Sequence, residues 1–223
     1  MQKNTPNNNN KTSNVLEQNF FNFFKRLFDI ILSTIAIILL SPIFLIVSII
    51  IVADDGMPIL FKQKRVGKNG KIFVMYKFRS MKNMSERKES PSYDFDWPDG
   101  VPDDFVFKSS GSNPNITKIG QFIRKYSIDE LPQFINVFQG RMSLIGPRPE
   151  IPEITQHYNE QQKKRLSVKP GITGWAQVNG RSDIDHGDKI KYDNEYVDNK
   201  TILLDIKIFF LTIFQTFTGK GSV

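Results

Sequence analysis

The hydrophobic pattern of the chain is dominated by one long apolar run, from Ile30 to Ala53. Isolated serines and a threonine are its only polar side chains, and the run ends at Asp54-Asp55. At about 24 residues, a helix of this composition is long enough to cross a bilayer. The pattern therefore predicts a membrane helix near the N-terminus.

The pair Ser41-Pro42 interrupts this run near its midpoint. Proline lacks the N–H for a helical hydrogen bond and its ring crowds the carbonyl of Ile38, so a kink or break is expected there, with two half-length helices. In hydrocarbon the freed carbonyls need partners, which the Ser41 hydroxyl or neighbouring protein could supply. The run alone leaves two alternatives open, a transmembrane helix and a re-entrant helical hairpin.

Basic residues flank the run on both sides. Lys25 and Arg26 precede it, and a second group follows it at Lys62, Lys64, Arg65, Lys68 and Lys71. Because such cations are retained on the cytoplasmic side, both ends of the run are expected there. A re-entrant helix broken at Ser41-Pro42 meets this requirement, whereas a straight span does not. We therefore predict a monotopic protein inserted in a single leaflet.

Polarity divides the chain into three parts. Residues 1–19 are rich in Asn and poor in apolar side chains, which predicts a flexible tail. Residues 20–55 hold the membrane helix and begin with phenylalanines beside Lys25 and Arg26, a mixture typical of the head-group boundary; core packing of these rings is the alternative. Residues 56–223 are long enough for one cytoplasmic domain with its own core.

The first part of this domain reads as a β-hairpin. Residues 59–81 form two predicted strands joined by a tight type I′ turn at Asn69-Gly70. In the second strand Lys77 and Arg79 share one face, opposite the apolar side chains. These two cations either face solvent or bind an anion.

The rest of the domain is mostly helical in pattern, which makes the fold α+β. An apolar stripe predicts a helix from Ile116 to Lys125, and Ser127 with Glu130 has the form of a capping box for a second helix that ends at Gly140. A polar helix is predicted over 152–165 and another over 187–199. The last helix, 201–217, is apolar around most of its circumference and either lies amphipathically in the membrane interface or is buried.

Two segments have too much Gly, Pro or Ser for regular structure. Residues 83–115 carry an acidic cluster and predict a surface loop or lid, and residues 169–181 predict an ordered loop anchored by Trp175. The acidic spacing does not match an EF-hand loop. The chain has no Cys, so thiol chemistry and thiolate metal sites are excluded. Its two histidines, His157 and His186, have no metal-ligand spacing, so a zinc site is not expected and both histidines are expected at the surface.

The charge balance favours an anionic partner. Thirty Lys and Arg against 23 Asp and Glu give a net charge of +7. Lipid head groups, a phosphorylated substrate and nucleic acid are all compatible with this charge. No nucleic-acid recognition motif is present, so we predict no nucleic-acid partner.

The chain also carries several sequence motifs in a defined order. The chain contains KRLFD (25–29), the apolar run with Ser41-Pro42, YKFRSM (76–81), SIDELPQFINVFQGRMSLIGPRPE (127–150) and KPGITGWAQVNGR (169–181). Together they resemble the bacterial sugar transferase family, the monotopic phosphoglycosyl transferases. The resemblance covers residues 25–217 and favours the re-entrant helix. The acidic segment 83–115 is longer than the family's usual connection, so substrate contacts there do not transfer.

The resemblance implies an enzyme that transfers a sugar-1-phosphate from a UDP-sugar to a polyprenol phosphate such as undecaprenyl phosphate. UMP is the expected leaving product, and the expected place is the cytoplasmic face of the bacterial inner membrane. In this family the Asp of the Asp-Glu pair is the nucleophile, which implies that Asp129 forms a covalent phosphosugar intermediate. A non-catalytic, membrane-anchored basic adaptor is the rival interpretation. The sequence leaves the oligomeric state open, a homo-oligomer included.

An attacking carboxylate must approach an anionic diphosphate, so cations are required at the site. The resemblance implies Mg²⁺ held by Glu130 together with Asp129. It also implies that basic residues hold the substrate phosphates. These are Arg124, Arg148 and Arg181, which lie in the most specific motifs, and Lys77 and Arg79.

Overall fold

The computed structural model describes residues 8–82, 95–106, 114–180 and 184–218. Within them the protein is mostly helical with two small sheets, as the predicted α+β class requires. The described residues also form three 3₁₀ turns, Lys68–Gly70, Ile128–Glu130 and Lys164–Ser167. The helices and strands, in chain order, are α1 (Asn8–Asp55), β1 (Leu60–Val66), β2 (Ile72–Phe78), α2 (Lys118–Lys125), α3 (Gln133–Phe138), β3 (Ser143–Ile145), α4 (Pro152–Thr155), α5 (Glu160–Lys163), β4 (Gly171–Thr173), α6 (Trp175–Gly180), α7 (His186–Asn199) and α8 (Ile202–Thr218).

Helix α1 contains the predicted apolar run, and its segment Gln18–Asp55 is long and apolar enough to cross a membrane. Pro42 lies inside this helix, which is continuous from Asn8 to Asp55, so a break into two separate helices at Ser41-Pro42 is wrong, whereas a kink there stays a prediction. The Ser41 hydroxyl donates to the carbonyl of Ile38 at 2.8 Å, which is the acceptor that Pro42 cannot reach. This hydrogen bond, anticipated from the sequence, lets the helix continue through the proline.

The helix also begins earlier than predicted, at Asn8. Residues 8–19, assigned to a flexible tail, are therefore helical, while residues 1–7 lie outside the described part of the chain. The helix gains hydrogen-bonded turns at its N-terminal end because propagation from an existing helix requires no new nucleus.

The first half of α1 is fastened to the folded domain by the charged residues of KRLFD. Lys25 forms an ion pair with Asp205 of α8 at 2.5 Å. The guanidinium of Arg26 donates to the carbonyls of Val137 and Phe138, both at 2.7 Å, and so satisfies the C-terminal end of α3. The buried carboxylate of Asp29 accepts from the side chain of Ser143 and the backbone N–H of the next residue.

The second half of α1 packs against the same domain through apolar side chains. Val47 and Ile51 are buried in one cluster with Phe78 and Ile123, and the ring of Phe44 lies 5.6 Å from that of Phe78. Between the two halves, residues 38, 39 and 41–43 are exposed. Both arms of the helix therefore contact one folded domain, and the residues around the proline are exposed.

Strands β1 and β2 form the predicted antiparallel hairpin, with Val66 opposite Ile72 at its closed end. The connection runs from Gly67 to Lys71 and is longer than the predicted two-residue turn. Asn69 and Gly70 have positive φ angles of 55° and 75°, as an Asn-Gly turn favours. The turn residues were thus predicted correctly, and the paired strands end further from the turn than predicted.

Helix α3 is attached to β2 by Asn136, which is fully buried. Its Oδ1 atom accepts from the N–H of Tyr76 at 3.0 Å, and its Nδ2 atom donates to the carbonyl of Val74 at 2.7 Å. An amide that satisfies both backbone groups of a strand edge fixes the position of the helix along that strand. This places the turn before α3 next to Lys77.

The glycine-rich segment 169–181 is not the loop that was predicted, because it contains β4 and α6. Strand β4 pairs with β3 in parallel, with Ser143 opposite Gly171. A Cβ atom added to Gly171 would come within 2.2 Å of the backbone of Gly146, so the two segments approach closely only because both carry glycine. The close approach of β4 to the backbone of Gly146, rather than an irregular loop, explains these glycines.

The other predicted elements are mostly confirmed. Helices α2, α7 and α8 match their predictions to within a few residues, but the polar helix predicted over 152–165 is divided into α4 and α5, with Asn159 capping α5. His186 was expected at the surface and is buried, beside Phe105 and Tyr158. Most of the predicted acidic loop, residues 83–94 and 107–113, lies outside the described residues. Its described part, 95–106, has no helix or strand and packs Val101 into the core.

Candidate active site

The 3₁₀ turn Ile128–Glu130 presents two adjacent carboxylates beside β2. Ser127 before it has a left-handed backbone, with φ of 54°, and makes no capping hydrogen bond. The predicted capping box is therefore wrong, and α3 begins only after Pro132. Proline has no N–H to give to a helix that would start earlier, so Asp129 and Glu130 belong to a separate turn.

Glu130 is the anchor of a cationic cluster. Its Oε1 atom lies 2.7 Å from Lys77 Nζ and 2.5 Å from Arg148 Nη2, and its Oε2 atom lies 3.2 Å from Arg148 Nη1. Burial opposes ionisation of Glu130, but Arg148 and Lys77 outweigh it and hold the pKa of Glu130 well below its usual range. Burial lowers the pKa of Lys77, and the Glu130 carboxylate opposes this shift. Glu130 thus stays charged and keeps both cations in place.

Asp129 differs from its neighbour. Its residue is only 8% exposed, and within the described residues its carboxylate accepts no hydrogen bond. Burial raises the pKa of Asp129, Lys77 lowers it, the negative charge of Glu130 raises it further, and Arg124 and Arg148 lower it. The result is a carboxylate that lies beside cations without being bound by them, which leaves its lone pairs available for attack on an electrophile.

Two further residues predicted to bind phosphate are Arg124 and Arg181. Arg124 lies exposed in the last turn of α2 and acts on Asp129 through its charge. Arg181 lies outside the described residues, so its prediction is untested. Together with Lys77 and Arg148, Arg124 surrounds the two carboxylates with positive charge, which favours an anionic substrate.

Arg79 does not join this cluster. Its buried guanidinium donates to the carbonyls of Asp55 and Gly56, both at 2.7 Å, and lies 3.1 Å from the Asp55 carboxylate. It therefore caps the C-terminal end of α1. Strand β2 ends at Phe78, so the strand alternation that placed Arg79 beside Lys77 no longer applies at Arg79. The structure thus does not bring Arg79 together with Lys77 and Arg148, and its predicted contact with substrate phosphate stays a prediction.

The predicted magnesium ligands were Asp129 and Glu130. The described residues contain no group of three or more Asp, Glu, His or Cys side chains suited to a metal. Glu130 already accepts from Lys77 and Arg148, which leaves about one lone pair of the roughly four that a carboxylate offers, whereas all of those on Asp129 remain. Magnesium often takes one or two carboxylates and completes its shell with phosphate and water, so the pair suits it once a phosphate is present.

An apolar groove of about 450 Å³ is lined in part by Pro132, which follows the carboxylate turn by two residues. It runs between the second half of α1, the start of β1 and the start of α3. Phe44 and Ser48 line it from α1, Pro132 and Ile135 line it from the α3 side, and Lys62 is its only cation among the residues that line it. Sequence analysis missed this groove because its walls come from segments far apart in the chain.

Sequence comparison finds related proteins over most of the chain. The family model for bacterial sugar transferases matches residues 20–219. The chain is 38% identical over 206 residues to the UDP-glucose:undecaprenyl-phosphate glucose-1-phosphate transferase of Escherichia coli, covering 89% of this chain and 41% of that protein. It is 44% identical over 201 residues to the galactosyl transferase CpsE of Streptococcus agalactiae, covering 89% and 43%.

The chain therefore spans less than half the length of these two relatives. A third, the uncharacterized sugar transferase EpsL of Bacillus subtilis, is 40% identical over 197 residues, and the match covers 88% of this chain and 89% of that protein. The shared region includes the whole carboxylate cluster and most of α1. The chain belongs to the bacterial sugar transferase family.

Proposed function

We propose that this protein transfers a sugar-1-phosphate from a UDP-sugar to a polyprenol phosphate, such as undecaprenyl phosphate, and releases UMP. This is the first membrane step in the synthesis of a glycoconjugate such as an O-antigen, a capsule, an exopolysaccharide or a protein-linked glycan. The observation that carries the proposal is the buried, unbonded carboxylate of Asp129 beside the Lys77–Glu130–Arg148 cluster. A basic adaptor has no use for such a group, and the family assignment disfavours that alternative.

In the first step an oxygen of the Asp129 carboxylate attacks the β-phosphorus of the UDP-sugar. The new bond joins this oxygen to phosphorus, the bond from that phosphorus to the oxygen bridging the α-phosphate breaks, and UMP leaves with the electron pair. The sugar phosphate remains on Asp129 as an acyl phosphate. Two substrates can then use one site in turn.

In the second step a phosphate oxygen of the polyprenol phosphate attacks the same phosphorus. The bond between phosphorus and the Asp129 oxygen breaks, and the carboxylate is restored. The product is a polyprenyl diphosphosugar. Asp129 returns to its ionised form without a net gain or loss of protons, which makes the cycle repeatable.

The surrounding cations give this chemistry its electrostatic support. Lys77 and Arg148 lie where they offset the repulsion between the Asp129 carboxylate and a diphosphate, and Arg124 adds charge from α2. By resemblance, Arg181 is a further phosphate ligand. Mg²⁺ held by Glu130 and Asp129 would supply charge neutralisation of the phosphate oxygens.

The acceptor is a lipid, and the apolar groove supports its use. Phe44 of the membrane helix lines the groove at one side, and Pro132, three residues after Asp129, lines it at another. A lipid phosphate could thus approach the nucleophile without its chain being lifted into water, because apolar burial along the groove compensates for leaving the bilayer.

The placement of α1 supports a re-entrant helix with both ends on the cytoplasmic face of the inner membrane. Arg26 contacts the C-terminal end of α3, and Phe44 lines the groove with Pro132 at its N-terminal end. Both arms of α1 thus contact the same domain on either side of Pro42. We infer that a bend near Pro42 allows this.

The test is a UMP-release assay on the full chain in nanodiscs that contain undecaprenyl phosphate and Mg²⁺. A panel of UDP-sugars is supplied one at a time, and release with at least one is expected. Without the lipid, intact-mass spectrometry should show a gain of one sugar phosphate on the wild type and none on Asp129→Asn. Absence of UMP with every UDP-sugar refutes the activity, and an adduct that persists in the variant refutes the nucleophile.

A further inference from the structure

The segment Pro147–Glu150, which carries Arg148, is held through every one of its backbone carbonyls. Prolines at two of its four positions have no N–H, so its hydrogen bonds depend on acceptors. Each carbonyl accepts from a different residue outside the segment. The bonds are Gly171 N to Pro147 O (2.9 Å), Arg165 Nη2 to Arg148 O (2.8 Å), Arg65 Nη1 to Pro149 O (3.0 Å) and Val66 N to Glu150 O (2.9 Å).

Arg165 is the buried member of this set. It is 2% exposed, and its Nε and Nη2 atoms lie 2.8 and 2.7 Å from Asp193 Oδ2 on α7. Its Nη1 atom donates to the Tyr158 hydroxyl at 2.8 Å, and its Nη2 atom also donates to the Arg148 carbonyl. The guanidinium therefore joins α7, the region after α4 and the backbone of Arg148.

A buried ion pair is a costly way to stabilise a fold, because apolar side chains of similar volume often do as well or better. A planar guanidinium offers something that apolar side chains lack, a rigid fork of donors with fixed directions. Three partners in different directions use that fork here. The arrangement favours a role in placing a backbone group over a role in stability alone.

We propose that Arg165, held by Asp193, is a positioning residue that sets the place of Arg148 in the active site. Arg148 is bound at both ends, through its carbonyl to Arg165 and through its guanidinium to Glu130 at 2.5 Å. Movement of the backbone carbonyl carries the guanidinium away from Glu130 and from the phosphate site. The inference rests on the proposed function, in which Arg148 supports attack by Asp129.

The variant that tests it is Arg165→Lys. Lysine keeps the charge for Asp193 but cannot also bond the Tyr158 hydroxyl and the Arg148 carbonyl in fixed directions. We expect kcat/KM for UMP release to fall by about 10- to 100-fold, the size of effect that a displacement near 1 Å has on an active site. The matched control is Lys164→Met, which breaks the exposed Lys164–Asp198 pair between the same 3₁₀ turn and α7. It should retain activity within about twofold.

A double-mutant cycle separates positioning from stability. In an Arg148→Ala background, Arg165→Lys should cause no more than about a twofold further loss, because the group that Arg165 places is already gone. The proposal would be overturned if the losses of kcat/KM caused by Arg148→Ala and Arg165→Lys multiplied in the double variant. It would also be overturned if Arg165→Lys kept the kcat/KM of the wild type. If circular dichroism shows that Arg165→Lys is unfolded, Asp193→Asn replaces it in the same cycle with the same expected and overturning results.

A second measurement is independent of catalysis. The amides of Val66 and Gly171 donate to the held segment, so hydrogen–deuterium exchange of both should be faster in Arg165→Lys than in the wild type and unchanged in Lys164→Met. Equal exchange in all three proteins would contradict the role of Arg165 in holding the segment. A wild type that releases no UMP but shows the exchange effect would refute the proposed function and leave the holding role standing.

Discussion

The two adjacent carboxylates of the active site should respond in opposite ways to neutralisation. Asp129 is buried without a hydrogen bond, and burial outweighs the attraction of Lys77 in raising its pKa. Removing this charge in Asp129→Asn should therefore stabilise the fold by about 1 kcal/mol, because the folded state disfavours the ionised form of this desolvated carboxylate. For a domain of 150–250 residues this raises Tm by about 2–4 °C, although UMP release is abolished.

Glu130→Gln should do the reverse. The side chain of Lys77 is 17% exposed and that of Arg148 is 46% exposed. The charge-assisted hydrogen bond from Lys77 therefore contributes its full free energy to stability, whereas solvent reduces the contribution of the bond from Arg148. A loss of about 2 kcal/mol follows, which lowers Tm by about 4–8 °C.

The pH dependence of the two effects is also opposite. Glu130 has a lowered pKa, so its contribution is complete above its unfolded value of 4.5 and is lost as pH falls through the folded pKa. Asp129 has a raised pKa, so its destabilising charge is absent below 3.8 and appears as pH rises through the folded pKa. The gain in Asp129→Asn should therefore be seen at pH 7 and disappear in acid.

Differential scanning calorimetry of the full chain in one detergent measures both shifts. Asp96→Asn, a change at an exposed carboxylate in segment 95–106, is the control and should move Tm by no more than about 1 °C. A fall in Tm for Asp129→Asn at pH 7, or shifts of the same sign in both variants, would refute the assignment of Asp129 as a buried, unbonded charge and of Glu130 as the anchor.

Three further outcomes are expected. The acid limb of the kcat/KM profile should lie above pH 3.8, because burial raises the pKa of Asp129. Lys77→Met should move this limb to higher pH, since Lys77 lowers the pKa of Asp129. A limb that does not move in Lys77→Met would contradict the role of Lys77. Because the chain has no cysteine, single cysteines at Asn19 and Lys68 can be labelled in intact spheroplasts and in inverted vesicles, and labelling from opposite sides would exclude a re-entrant α1. Arg79→Ala should lower Tm by several degrees with an unchanged KM for the UDP-sugar, since this residue caps α1; a KM raised about tenfold would restore its predicted phosphate contact.

Local patterns explain why several elements could be predicted. The apolar run, the Asn-Gly turn and the amphipathic stripe before Arg124 each reflect one period or one turn conformation, which neighbouring residues specify. The Ser41 hydroxyl could be anticipated as the partner of Ile38 for the same reason. Where local signals competed, prediction was wrong: Ser127 and Glu130 have the spacing of a capping box, but Pro132 and the cations around Glu130 prevent that helix start.

The sequence by itself determined the long apolar helix that is a candidate membrane segment, the hairpin, the family motifs and the choice of Asp129 and Glu130 as candidate site residues. Only the tertiary structure decided which cations meet them. Lys77 and Arg148 reach Glu130 from 53 and 18 residues away, and Arg79, two positions after Lys77, binds the end of α1 instead. The reason is that periodicity specifies the face on which a side chain lies, whereas the partner on that face depends on how distant segments pack.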